Sequence, residues 1–273
     1  MDNRPIGFFD SGIGGLTSVT HIMKTLPDEK IIFYGDTART PYGSKSTDTI
    51  KQFTKQIGDF LVKNNVKMIV IACNTVSATC LDVLRKQYPD VVVIGVISPT
   101  AREVCKLCTK EDNIGVIATK VTIRTNAYEN KIRGINPELN LFSKACPAFV
   151  PLIEEGIIDN EIMDLTIRYY LDDFVKENNI DTLILGCTHY PLISDNLRRI
   201  YPGIKIINSS KEVATAVKME LENRHMLAEK GNNRLMENVF YASDLSENFV
   251  NMIELILGRD KEELNIQFKN LDI

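Results

Sequence analysis

The sequence predicts an α/β protein of two similar domains with mostly parallel sheets, and three observations lead there. Short β-branched runs alternate with longer amphipathic stretches along the chain, the pattern of parallel strands covered by helices. The two halves rhyme in order: "IGFFDSG" from Ile6 and "IGVIATK" from Ile114 lie 108 positions apart, and "VIGVIS" ending at Ser98 and "KIINSS" ending at Ser210 lie 112 apart. Between those pairs, "IACN" and "LGCT" place Cys73 and Cys187 114 positions apart, each where an apolar run stops.

In the first half, strands are expected at Pro5–Phe9, Lys30–Gly35, Met68–Ala72 and Val91–Val96, with helices from about Gly14, Thr47 and Thr75. In the second, strands are expected at Asn113–Ala118, Leu139–Lys144, Thr182–Leu185 and Ile204–Asn208, with helices from about Thr122, Asn160 and Pro191. Pro27 and Pro202 fall where helices have ended, and Pro191 suits a first helical turn. After Ser210 come the helical "KEVATAVKMELENRHML", the strand-like "VFYAS" and the helical "SENFVNMIELILG". That tail is too long to be idle and is expected to pack back on the first domain. The expected division is 1–98 plus 211–273 for the first domain and 99–210 for the second. Ligands in open α/β sheets sit beyond the carboxyl ends of the strands. Two such domains related by a pseudo-twofold axis would therefore set Cys73 and Cys187 on opposite walls of one cleft.

Composition narrows the function classes. At 273 residues, 44% hydrophobic and 25% charged, the chain can bury a real core. A net charge of −4 with scattered lysines and arginines argues against a nucleic-acid partner. The longest apolar run, "VVVIGVI" at Val91–Ile97, is a strand's length, so no membrane span is expected. The start "MDNRPIGFFDSG" lacks the pattern of a signal peptide, and a cytoplasmic location is expected. In a reducing compartment the six cysteines should not form disulfides. Their spacing fits no zinc framework, so no metal site is expected.

A thiol between a strand and a helix lies where backbone N–H groups and the helix dipole favour thiolate. Cys73 and Cys187 occupy such places; Cys80, Cys105, Cys108 and Cys146 read as small buried hydrophobes, the Cys105–Cys108 C-x-x-C lying in a helix. Among the three histidines, only His189 stands beside one of these cysteines, two residues from Cys187. A single nucleophile with one base would leave Cys73 without a task. Two opposed thiols suit another: taking a proton from one face of a carbon and returning one to the other. Asp10, read by its residue type alone, is a cap for the helix opening near Gly14.

Four segments carry a resemblance: "FFDSGIGG" at Phe8–Gly15, "YGDTARTPYG" at Tyr34–Gly43, "ACNTVSA" at Ala72–Ala78 and "GCTHYP" at Gly186–Pro191. In this order, over almost the whole chain, they resemble the signature segments of the glutamate racemases, within the aspartate/glutamate racemase family. "GVIATKVT" at Gly115–Thr122 and "VPLIEEG" at Val150–Gly156 fit the same pattern.

The resemblance implies cofactor-independent racemisation of L-glutamate to D-glutamate, supplying D-glutamate for cell-wall peptidoglycan. It implies that Cys73 takes the α-proton from D-glutamate and Cys187 from L-glutamate. Asp10 would assist the first thiol, His189 the second, and Glu154 would support the histidine. Asp10, Ser11, Pro41, Tyr42, Gly43, Asn74, Thr75, Thr119, Thr122, Thr188 and His189 form the implied substrate-contact set. No arginine clamp for the substrate carboxylates is evident apart from Arg39, which leaves hydroxyls, amides and helix N-termini for that task. The family also admits a homodimer.

The residues alone leave three rivals: an aspartate or hydantoin racemase, a two-lobed small-ligand binding module, and a Cys–His hydrolase using Cys187 and His189 without Cys73.

Overall fold

The computed structural model describes residues 1–231 and 237–271. Its first part runs β1 (Ile6–Asp10), α1 (Leu16–Thr25), β2 (Ile31–Gly35), α2 (Thr47–Lys63), β3 (Met68–Ile71), α3 (Asn74–Gln87), β4 (Val92–Gly95) and α4 (Ile97–Leu107). The second runs β5 (Asn113–Ala118), α5 (Lys120–Arg124), α6 (Ala127–Arg133), β6 (Asn140–Ala145), α7 (Phe149–Glu154), α8 (Glu161–Glu177), β7 (Thr182–Gly186), α9 (Ser194–Ile200) and β8 (Lys205–Asn208). The chain continues through α10 (Ser209–Asn223), β9 (Val239–Ala242), α11 (Glu247–Leu257) and β10 (Asn265–Phe268).

Two sheets form, with strand orders β10-β9-β2-β1-β3-β4 and β6-β5-β7-β8, and every strand pairing in them is parallel. The orders β2-β1-β3-β4 and β6-β5-β7-β8 are the same, so Cys73 after β3 and Cys187 after β7 hold equivalent places. β9 and β10 extend the first sheet beyond β2, and α10 packs against both α1 and α4. Both faces of the first sheet are covered, which is why its strands read as unbroken apolar runs. On one face Phe9, Ile69 and Ile71 meet Ile57 and Leu61 of α2 and Val76 and Leu84 of α3. On the other, Phe8, Phe33 and Val70 join Leu16, Ile22, Phe249 and Ile253 in a core that runs on into Val116, Ile184 and Val213.

Local chemistry sets several boundaries. Ser46, Asn160 and Ser246 cap α2, α8 and α11 by accepting the N–H of the third residue on. The helix expected from about Thr122 is two: Thr119 caps a short α5, and Asn126 in the left-handed region (φ 52°) breaks the path before α6. The helix expected at Pro191 opens as a 3-10 turn over Tyr190–Ile193. β10 was not legible in the sequence, because "NIQF" has too few β-branched residues to stand out. Among the described residues no helix is long and apolar enough to cross a membrane.

Candidate active site

The strand ends deliver the chemistry. β1 ends at Asp10 and leads into Ser11; β3 leads through Ala72 to Cys73; β5 leads to Thr119; β7 leads to Cys187. Cys73, Cys187, Ser11, Asn74, Thr75, Thr119, Thr188, His189 and the Thr40–Gly43 loop line one small cavity, with Val150. Both cysteines are almost wholly buried, at 5% and 6% exposure. The cavity measures about 20 Å³, room for about one water, so an amino acid can enter only if the walls separate.

Close backbone approach brings the walls together. Gly14 lies so near the second half that a Cβ there would stand 2.5 Å from Thr188 Oγ1 and 2.6 Å from His189 Nδ1. At Gly43 it would stand 2.7 Å from Thr119 Cβ. Thr17 Oγ1 donates within 3.1 Å of Thr188 O and shares a 2.7 Å hydrogen bond with Ser210 Oγ, fastening α1 to the Cys187 loop. The hydroxyls of Thr75, Thr119 and Thr122 form a triangle with 3.0 to 3.3 Å sides across the other seam. Thr122 and Asp10 thus stand behind the wall rather than on the cavity. The Pro41–Gly43 loop is held from below by Asp36, which accepts hydrogen bonds from Tyr42 Oη, Ser243 Oγ and Arg39 Nε.

The two thiols sit in different fields. Cys73 Sγ donates to Ser11 Oγ at 3.3 Å. Burial, and then the charge of Asp10, push its pKa up to about 12. The helix N-terminus was expected to favour thiolate here; desolvation outweighs it. Asp10 itself is fully buried, takes hydrogen bonds from Gly12 N at 3.1 Å and Thr188 Oγ1 at 3.3 Å, and has its carboxyl pKa raised by burial. The expected capping use of Asp10 is not what forms, because α1 starts at Leu16 with no side-chain cap; the carboxylate instead serves the turn at Gly12 and stands behind Cys73.

Cys187 Sγ lies 3.8 Å from His189 Nδ1, and His189 Nε2 lies 3.1 Å from Glu154 Oε1. Burial pulls the imidazole pKa down, but the hydrogen bonds and charges of Cys187 and Glu154 prevail and lift it to about 10. Glu155 is exposed, and the carboxylate that meets His189 is that of Glu154.

Other groups sort themselves plainly. Arg39 binds Asp36 and Gln56 and stacks on Phe53, so it is no clamp for a ligand in the cavity. Tyr190 is buried, donates to Cys146 O at 2.9 Å and packs on Phe149. All six cysteines are free, and Cys108 ends α4 rather than lying inside it. Thr40 and Val150 line the cavity although neither was singled out; both lie inside segments that carried the resemblance. Asn74 Nδ2 and Thr40 Oγ1 are buried with no hydrogen-bond partner among the described residues. Two unanswered polar groups on one cavity wall suit a polar ligand.

Comparison with known proteins identifies the family. The Asp/Glu/Hydantoin racemase family profile matches residues 17–217. A glutamate racemase from Sulfurihydrogenibium sp. is 44% identical over 260 residues, covering 95% of this chain and 96% of that one. The glutamate racemase of Geobacter metallireducens is 42% identical over 262 residues, covering 94% of each. The crystal structure of the Francisella tularensis glutamate racemase in complex with D-glutamate superposes with a TM-score of 0.91 at 39% identity, over 100% of this chain and 99% of that one. The chain is thus an isomerase that belongs to the Asp/Glu/hydantoin racemase family, among its glutamate racemases.

Proposed function

We propose that the protein interconverts L- and D-glutamate by a two-base proton transfer at Cα, with Cys73 and Cys187 as the bases and no cofactor. The observation that carries this reading is the pairing of two buried thiols, from equivalent strand ends, on one cavity. In the L-to-D direction Cys187, as thiolate, takes the α-proton and becomes a thiol. Cys73, as thiol, returns its proton to the opposite face and becomes a thiolate. The D-to-L direction exchanges these roles. The protonated His189 supplies the positive charge that a thiolate at Cys187 needs, and Glu154 holds the imidazole in place. Cys73, with its raised pKa, is poised as the proton donor, and Asp10 assists it.

The carbanion-like transition state needs fixed donors at the substrate carboxylates. Ser11, Asn74, Thr75 and Thr188, with Thr119 and the Pro41–Gly43 loop opposite, are the groups at hand. The same reading includes residues 1–98 plus 211–273 as one domain and 99–210 as the other, opening at their seam to admit substrate. It also includes a cytoplasmic location, a homodimer and delivery of D-glutamate to peptidoglycan synthesis, which rest on the family resemblance.

The test is incubation of the purified, metal-chelated protein with L-glutamate in D₂O, followed by circular dichroism and by proton NMR of Cα–H. Loss of dichroism with deuterium entering Cα is expected. Turnover of aspartate but not glutamate would transfer the reading to that substrate. Binding without any exchange would return it to a ligand-capture module.

A further inference from the structure

Tyr128, on α6, is 3% exposed and touches both cysteine-bearing strand ends. Its hydroxyl donates to Asn74 Oδ1 at 2.6 Å, next to Cys73. Its ring closes on Gly186, next to Cys187, where a Cβ would stand 3.2 Å from Tyr128 Cε2. Burial pushes the phenol pKa well up, so the hydroxyl keeps its proton to donate.

That bond decides which way a planar amide faces. A phenol that donates to Oδ1 commits the oxygen and turns Nδ2 to the other side. Asn74 Nδ2 is buried, unpartnered among the described residues, and belongs to a residue that lines the cavity between the thiols. A buried donor left unanswered is unfavourable, so it marks a place where an acceptor belongs. The reverse orientation would present a carbonyl oxygen to an incoming anion and repel it.

We propose that Tyr128 is a positioning residue for substrate: it locks Asn74 with its N–H side toward the cavity, as a donor to a carboxylate of the amino acid. The inference rests on the glutamate reading above. It adds a second-half residue that acts on the Cys73 wall through Asn74, and that no sequence motif pointed to.

The experiment is calorimetric titration of D-glutamate into the wild type, Tyr128→Phe, Asn74→Ala and the double variant, beside their racemisation rates. Tyr128→Phe keeps the ring on Gly186 and removes only the hydroxyl. It is expected to weaken binding about tenfold, the scale of one hydrogen bond to a charged group. The double variant is expected to bind no more weakly than Asn74→Ala, because the hydroxyl acts only through the amide. Asn74→Asp offers an independent check, since it still accepts from Tyr128 but has no N–H to give; it should lose binding as Asn74→Ala does. Unchanged affinity in Tyr128→Phe, a loss that adds in full to Asn74→Ala, or full binding by Asn74→Asp overturns the proposal. A wild type that neither binds nor racemises glutamate overturns the functional reading, and this inference with it.

Discussion

The Cys73 wall and the Cys187 wall share one local topology and set different groups beside their thiols. Each cysteine follows a parallel strand in the third position of the order β2-β1-β3-β4 or β6-β5-β7-β8. Cys73 has a hydroxyl at 3.3 Å that favours its thiolate, but its burial and the fully buried carboxyl behind it disfavour that form more strongly. Cys187 has an imidazole at 3.8 Å that stays protonated at neutral pH, tied to a carboxylate whose side chain is 24% exposed. Repeated topology places the groups symmetrically; the side chains around them break the symmetry. In the proposed reaction that difference gives each thiol its own assisting group, Asp10 behind Cys73 and His189 beside Cys187.

The largest effect should come from removing either thiol. Cys73→Ser is expected to slow proton removal from D-glutamate by about 10²–10⁴-fold, and Cys187→Ser removal from L-glutamate by a similar factor. Deuterium exchange at Cα, measured separately for each enantiomer, reads the two walls one at a time. If neither variant loses activity in either direction, the two-thiol mechanism is wrong.

Next in size is Gly14→Ala, which drives a methyl into Thr188 and His189 on the Cys187 wall. It should cost about 1–3 kcal/mol of stability, as overpacking does, together with most of the activity. Gly203→Ala meets nothing within 4 Å and serves as the neutral control in the same urea titration.

Glu154→Gln removes the charge behind His189 while keeping its shape. A loss of about tenfold in proton removal from L-glutamate is expected, the scale of one charge-assisted hydrogen bond. The imidazole pKa should fall from its position near 10, as an NMR titration of His189 would record.

A separate effect concerns stability against pH. His189 titrates at about 10 in the folded chain and at about 6.5 when free, so the native state holds the extra proton between those values. Its contribution is fully present below about pH 6.5 and is lost as pH rises toward 10. His189→Gln should therefore flatten the decline in unfolding free energy over that interval. A decline as steep as in the wild type would remove His189 from the account.

Much of the architecture was legible because strand and helix periodicities are local. β5 appears with the expected bounds, and β1, β2, β3, β4, β6, β7 and β8 lie within one or two residues of theirs. Their buried apolar runs leave few alternatives. The break at Asn126 and the edge strand β10 were not legible, since one depends on a single left-handed residue and the other on a neighbour already in place. At the site, the motifs named the residues but could not rank them. Thr122 and Thr119 are three apart, yet only Thr119 reaches the cavity. Arg39 read as a candidate clamp until Asp36 and Gln56 were seen to hold it.

By itself the sequence determined the α/β class, the internal repeat and the two cysteines at equivalent strand ends, because each is written in spacing along the chain. Only the tertiary structure decided how the thiols differ, that Glu154 rather than Glu155 meets His189, and that Tyr128 orients Asn74. Those outcomes depend on desolvation and on contacts between residues 35 and 54 positions apart, which spacing along the chain does not encode.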